Sequence, residues 1–385
     1  LRFLTADYVF PVLQPPVKNG VVIVRQDGSI EDVLMRDALS PEVTPEKFEG
    51  ILCPGFVNAH CHLELSCLKD KIPAGTGLIG FFRHLLEAKK KVPIQEKTIS
   101  AAMADRQMAE NGIVAVGDIA SDADCFAIKS NSRLHYHTFI ELYDLTEERT
   151  EEIFRKGNHL LEALPHQQAS LTPHAPYSVT RALADKILAS GSAILSIHHA
   201  ESRHEKPLLE DGTGKMAEYL KQYVQKDFAR KEGFAPAEYF ITRMNSTQSL
   251  LLVHNTYVDQ HTIKRIESTG KKIWWCFCPK ANLYIEGRSV DFALFRDVEK
   301  CCLGTDSLAS NNTLSILEEM KALLRLYPEM SMERLIRWAT LNGAMALGFH
   351  HQLGSFQKNK KPGVILIEKT DGCQLLPEST VRRLV

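Results

Sequence analysis

Short apolar runs recur along this chain, and most close on a polar residue and are followed by a stretch with helical spacing. The first long run, Ile51 to Leu63, is apolar and punctuated by Pro54 and Gly55, which predicts a buried strand. Further strands are predicted at Ile113–Val116, Tyr136–Leu142, Ala169–Thr172, Ala193–Ile197, Leu250–Val253, Lys272–Cys278 and Lys300–Gly304. Between them lie helical patterns. Leu78 to Lys91 sets Phe81, Phe82, Leu85 and Leu86 on one face, and Glu96–Glu110 stops at Asn111-Gly112. Glu147–Leu164, Thr180–Ser190, Val258–Thr269, Leu314–Leu326 and Met332–Leu347 complete the set, with a long polar, helix-rich insertion at about 202–248. Eight strands alternating with helices predict an α/β fold of the (β/α)8 TIM-barrel type over residues 51–349. A doubly wound sheet would want a Gly-x-Gly-x-x-Gly turn after its first strand, and none is present.

The two ends differ in texture. Val21–Val24, the turn Gln26-Asp-Gly28 and Ile30–Leu34 read as a hairpin, and Val364–Ile367 followed by Thr370-Asp-Gly372 has the same character. Residues 1–50 and 350–385 are therefore expected to form one small β-rich domain from both termini.

Composition narrows the function more than the fold. The 385 residues are 44% hydrophobic and 24% charged, with a formal net charge of −1. That balance suits a small-molecule substrate and offers no basic surface for a nucleic-acid polymer or an anionic membrane. No stretch approaches the length of a membrane span, and the start lacks a basic segment leading into a long apolar run. Nine cysteines without framework spacing fit a reducing compartment, so a cytoplasmic location is expected. Cys276-x-Cys278 and Cys301-Cys302 lie in apolar strands without zinc-site spacing and read as buried thiols. Self-association as a homodimer is left open.

In a barrel of this kind, catalytic groups sit where the strands end. His60 and His62 follow the first strand, Asp118 the second and His174 the fourth. His198, His199 and Glu201 follow the fifth, His254 the sixth and Asp306 the eighth. His-x-His alone is a weak signal, although side chains two apart on a strand share a side. The set is a stronger one. Several imidazoles and a carboxylate with an open position suit one divalent ion, Zn²⁺ first and Fe²⁺ second. Bringing the pKa of a bound water from about 15.7 to about 7 is worth about 12 kcal/mol and yields a nucleophile at neutral pH. A carboxylate that is not a ligand must then move protons to the leaving group, and Glu201 lies three residues from His198.

The segments PGFVNAHCHLELS, LTPHAPYSV, SIHHAES, LLVHN, CPKANL and GTDSLASNNTLSILEEM, in this order, resemble the metal-dependent amidohydrolase superfamily. The likeness is to its nucleobase and nucleoside deaminase branch, which includes aminodeoxyfutalosine and S-adenosylhomocysteine deaminases and the triazine chlorohydrolases. The resemblance implies a β-sandwich from both termini and His60, His62, His198 and Asp306 as metal ligands. It implies Glu201 as proton shuttle, Asp306 also as base on the attacking water, and His254 as the group that polarises substrate or holds the nucleophile. His174 is expected to face substrate. Binuclear members place a carboxylated lysine on the fourth strand, where this chain has Ser170-Leu-Thr172, so one ion is expected. Glu64 either accepts from a ribose or starts a helix, and Asn282 either touches substrate or caps a loop. His199, one residue from His198, is expected to face the other way and pack. The implied activity is hydrolytic deamination of an aminated purine-like nucleoside or nucleobase; hydrolysis of a cyclic amide or ring halide is the alternative. The insertion at 202–248 is expected to cover the pocket mouth.

Overall fold

The computed structural model describes residues 1–164, 168–224 and 233–385, so part of the predicted insertion, 225–232, lies outside the described residues. Among these residues eight parallel strands carry the core: β1 Phe56–Cys61, β2 Ile113–Ala120, β3 His135–Leu142, β4 Gln168–Pro173, β5 Ile194–His199, β6 Ser249–His254, β7 Lys272–Phe277 and β8 Cys301–Leu303. They pair in sequence order as two four-stranded sheets, β1 to β4 and β5 to β8. β1 and β2 are buried at every position, as strands covered on both faces must be. Alternate residues separate into two apolar clusters. Leu251, Val253, Trp274, Cys276 and Cys302 belong to one, while Leu250, Leu252, Trp275, Phe277 and Cys301 pack with the surrounding helices in the other. All nine cysteines are free.

The sheets are joined at both edges. At one, the backbone N–H groups of Thr305 and Asp306 donate to His60 O at 3.0 and 3.1 Å, and Cys61 bridges Asp306. At the other, the Thr172 hydroxyl donates to Ser196 O and accepts from Ser196 N, each at 2.6 Å, and His198 N donates to His174 O at 2.9 Å. Thr172 is thus a seam residue. Gly304 is required at the first edge, because a Cβ there would lie 2.8 Å from His60 Cβ and 2.9 Å from His60 O.

The predicted opening strand is in fact two. Ile51–Pro54 pairs with Val364–Asp371 and Tyr8–Val9 in a five-stranded terminal sheet, and only from Phe56 does the chain enter β1. Gly55 makes the break, since a Cβ there would meet Val114 Cγ1 at 2.3 Å and Pro362 O at 2.8 Å. A second terminal sheet contains Ile30–Met35, Gly20–Val24, Arg2–Thr5 and Glu46–Lys47. The two share a core in which Leu4, Val22 and Ile30 meet Leu52, Val364 and Leu366. The segment Met332–Leu347 is also less regular than its periodicity implies: Trp338–Asn342 is a π turn between Met332–Arg337 and Gly343–Ala346.

Candidate metal centre and active site

A β-bulge between Asn58 and Cys61, three steps on β1 against two on β2, re-aims the end of the first strand. His60 and His62 then face the same point as His198 from β5 and Asp306 beyond β8. His62 Nε2 stands 3.2 Å from Nε2 of both His60 and His198. Asp306 Oδ1 lies 3.5 Å from His62 Nε2 and 3.7 Å from His60 Nε2. Four donors on a tetrahedral ion with bonds of about 2.0–2.1 Å are about 3.3 Å apart. The spacing therefore fits one small divalent ion.

The backbone contributes to this aim. Ala200, His254 and Asp306 all have left-handed φ, at 47°, 75° and 56°, which L residues adopt at a penalty of about 1–3 kcal/mol each. Each sits where a strand gives way to a loop, and the turn redirects the chain towards the site. The loop after β5 is held by Glu205, whose Oε1 accepts from Glu201 N at 2.7 Å and Ser202 N at 2.8 Å. Ser310 donates to Asp306 Oδ2.

Ring tautomers follow from the acceptors available. His198 Nδ1 faces the carbonyl of His174 at 2.8 Å, so it carries the proton and leaves Nε2 free to bind. Asn282 Nδ2 donates to His254 O at 3.3 Å, which turns Asn282 Oδ1 to accept from His254 Nδ1 at 2.8 Å. His60 Nδ1 is buried without a partner among the described residues. Burial lowers the pKa of His60, His62, His198 and His254, keeping the rings neutral as ligation needs. Burial works against Asp306, but the adjoining rings of His60, His62 and His254 outweigh it and hold the carboxyl below the usual range.

Glu201 stands opposite in character. Its side chain is 6% exposed, with Oε1 3.7 Å from His254 Nε2. Burial, reinforced by Asp306 and Glu286, pushes its pKa well above that of an ordinary carboxyl. Two carboxyls facing one pocket thus favour opposite protonation states, the arrangement that assigns an acid and a base.

His62, His198, Glu201, His254 and Asp306 line one pocket with His174 and Glu64. His174 donates or accepts through Nδ1 with Ser178 Oγ at 2.6 Å, and burial brings its pKa down to about 4. Glu64 is held by Ser121, from N at 2.9 Å and Oγ at 2.6 Å, with Lys89 Nζ at 3.5 Å. The roof is apolar: Leu78, Phe81, Phe82 and Leu85 from the helix Gly77–Lys89.

Three expectations are revised. Asn282 lies not in a loop but in the helix Pro279–Glu286, is 1% exposed, and turns its amide to His254 rather than to the pocket. Asp118 falls within β2, where it pairs with buried Lys129 and accepts from Leu63 N at 2.7 Å, so it supports the turn after His62. Among the described residues it is Gly77–Lys89 that lines the pocket, and the insertion packs against that helix, with Tyr219 stacked on Phe82 at 6.3 Å, while its residues 225–232 lie outside the described residues. His199 hydrogen-bonds Asn255 Oδ1 through Nδ1 at 2.8 Å and packs edge-on to Trp275. Glu141, outside the expected set, also lines the pocket, from β3. The strand-end rule that gathered the other groups also selects it, as the last polar residue of its strand.

The description of the amidohydrolase family matches residues 51–381. The chain belongs to the amidohydrolase family. It is 26% identical over 354 residues to the adenosine deaminase of Helicobacter pylori, covering 89% of this chain and 85% of that protein. The crystal structure of the Helicobacter pylori aminofutalosine deaminase in complex with methylthio-coformycin superposes with a TM-score of 0.85 at 24% identity, over 100% of both chains. The zinc complex of the atrazine chlorohydrolase of Arthrobacter aurescens TC1 gives 0.73 at 14% identity, over 100% of this chain and 93% of that one. Members of this amidohydrolase family use a divalent metal ion, and the donor set around His62 is where this member has the residues to hold one. Among the described residues no helix is long and apolar enough to cross a membrane.

Proposed function

We propose that this amidohydrolase is a zinc-dependent deaminase of adenosine-type nucleosides, possessing a single metal ion held by His60, His62, His198 and Asp306. The convergence of those four donors beside Glu201 carries the reading, and the deaminase names among its relatives support the substrate class. The joined edges of the two sheets support closure into one (β/α)8 barrel, with the terminal sheets as a β-sandwich.

The ion, when bound, supplies a water acidic enough to attack at neutral pH. Asp306, kept as a carboxylate, would help hold the ion and accept a proton from the attacking water. Glu201, kept protonated by burial, would give its proton to the ring nitrogen of the amidine and then carry the added hydroxyl's proton to the departing amine, with the proton on Asp306 restoring Glu201. The carbon–nitrogen bond breaks, ammonia leaves and a carbonyl remains. His254, fixed by Asn282, presents neutral Nε2 to the reacting centre. The apolar roof receives the flat face of the base and excludes water. The cavity below it is about 160 Å³, under the roughly 300 Å³ at which ligand pockets begin. A nucleoside therefore needs the roof helix to move aside, and Gly75 and Gly77, at φ 72° and 66°, lie at its start.

Glu201→Gln tests the assignment. It keeps the shape and the metal but loses the mobile proton, and the rate of ammonia release should fall about 10²-fold or more. A near-normal rate would remove Glu201 from the mechanism. Turnover of a cyclic amide or ring halide in place of any aminated nucleoside would favour the alternative chemistry.

A further inference from the structure

One buried acid on the pocket wall has no part in the chemistry above. Glu141 is next to last in β3, its side chain 10% exposed, and Oε1 is buried with no hydrogen-bond partner among the described residues. The nearest basic atom, His198 Nδ1 at 3.6 Å, already donates to His174 O. Neighbouring Glu64 differs, because Ser121 and Lys89 occupy both of its oxygens. Buried carboxyls without partners are rare, and one facing a binding pocket is an acceptor waiting for a donor.

Position indicates which donor. Glu201 and His254 belong to the ends of β5 and β6, where the amidine is processed, whereas Glu141 and Ser121 reach the pocket from β3 and beyond β2. The roof between them is apolar and matches a base, not a sugar. The part of a nucleoside that carries hydroxyl donors is its ribose, so the β2–β3 wall, where Glu141 presents an unpaired acceptor, is where a ribose would be satisfied. We propose that Glu141 is a specificity-determining residue that accepts a hydrogen bond from a hydroxyl of the substrate's ribose. This rests on the reading of the site as a nucleoside deaminase.

The test measures kcat/KM for adenosine, 2′-deoxyadenosine and 3′-deoxyadenosine with the zinc-loaded wild type, Glu141→Ala and Glu141→Gln. The wild type should lose about 10- to 100-fold on one of the deoxy substrates, the cost of leaving the buried Glu141 carboxyl without its partner. Glu141→Ala should lose a similar factor on adenosine and then treat that deoxy substrate within about threefold of adenosine. Glu141→Gln, with the same shape and one acceptor oxygen, should keep an intermediate discrimination, and it carries the test should the alanine variant not fold. Zinc content should be the same in all three proteins. Undiminished discrimination in the variants overturns the proposal while leaving the deaminase intact. Loss of a bound zinc equivalent in Glu141→Ala also overturns it, because Glu141, His174 and His198 would then be a ligand group. A wild type inert towards all three nucleosides overturns the deaminase reading and this proposal with it.

Discussion

Replacing Asn282 by alanine removes the acceptor that fixes the His254 ring. The bond is 2.8 Å long, and both residues are 1% exposed, so water cannot take the place of the lost oxygen. Leaving a buried N–H without a partner costs about 1–3 kcal/mol. The ring can escape that penalty by moving its proton to Nε2, but Nε2 then faces Glu201 and the reacting centre as a donor instead of an acceptor. Either way about 1–3 kcal/mol of transition-state stabilisation goes, or about 5- to 150-fold in kcat/KM. Steady-state ammonia release with zinc content measured in parallel checks this, and zinc should be unchanged because Asn282 touches none of the four donors. Asn282→Asp supplies the complementary arm. A carboxylate in that place favours the imidazolium, so the pKa of His254, lowered by burial in the native site, should rise. Activity in that variant should therefore be lost as pH falls through a higher value than in the native enzyme. If Asn282→Ala stays within twofold of wild type, or loses zinc, the reasoning about His254 is wrong.

Other consequences follow from the packing. Gly304→Ala drives a methyl group into His60 backbone and Cβ at the β8–β1 edge, and should destabilise the fold by about 1–3 kcal/mol and weaken zinc retention together; thermal melts with and without added zinc report both. His137 is 4% exposed, and burial brings its pKa from 6.5 down to about 4. A histidine depressed in this way binds its proton more readily when unfolded, so its penalty is absent above about pH 6.5 and grows as pH falls towards 4. At pH 5 it amounts to about 2 kcal/mol, and His137→Leu should shrink the stability difference between pH 7.5 and pH 5 by that amount in urea titrations. Chelation should abolish activity and lower the melting temperature, and zinc should restore both, because four buried donors lose the ion that satisfies them.

The strands that bear the site were legible because parallel strands buried on both faces are apolar at nearly every position, as in β1, β2 and β6. The polar residues that end them stand out against that background. Three things were hidden. The division at Gly55 depends on Val114 and Pro362, which approach from distant parts of the chain. Asn282 reads as a loop residue because the helix Pro279–Glu286 is short, and its value to His254 exists only once β6 and that helix are adjacent. The identity of the pocket's roof was hidden too, since Phe81, Phe82 and Leu85 have the spacing of ordinary core residues. Glu141 was legible by the same rule as Asp306, as the last polar residue of β3.

The most direct test of the central claim is a zinc titration of the metal-free protein with ammonia release from an adenosine-type nucleoside as the readout. Activity should climb in proportion to added zinc, reach its plateau at one equivalent per chain, and yield one ammonia for each nucleoside consumed. Activity that is full without metal, or that continues to rise to a second equivalent, would contradict a single hydrolytic ion held by His60, His62, His198 and Asp306.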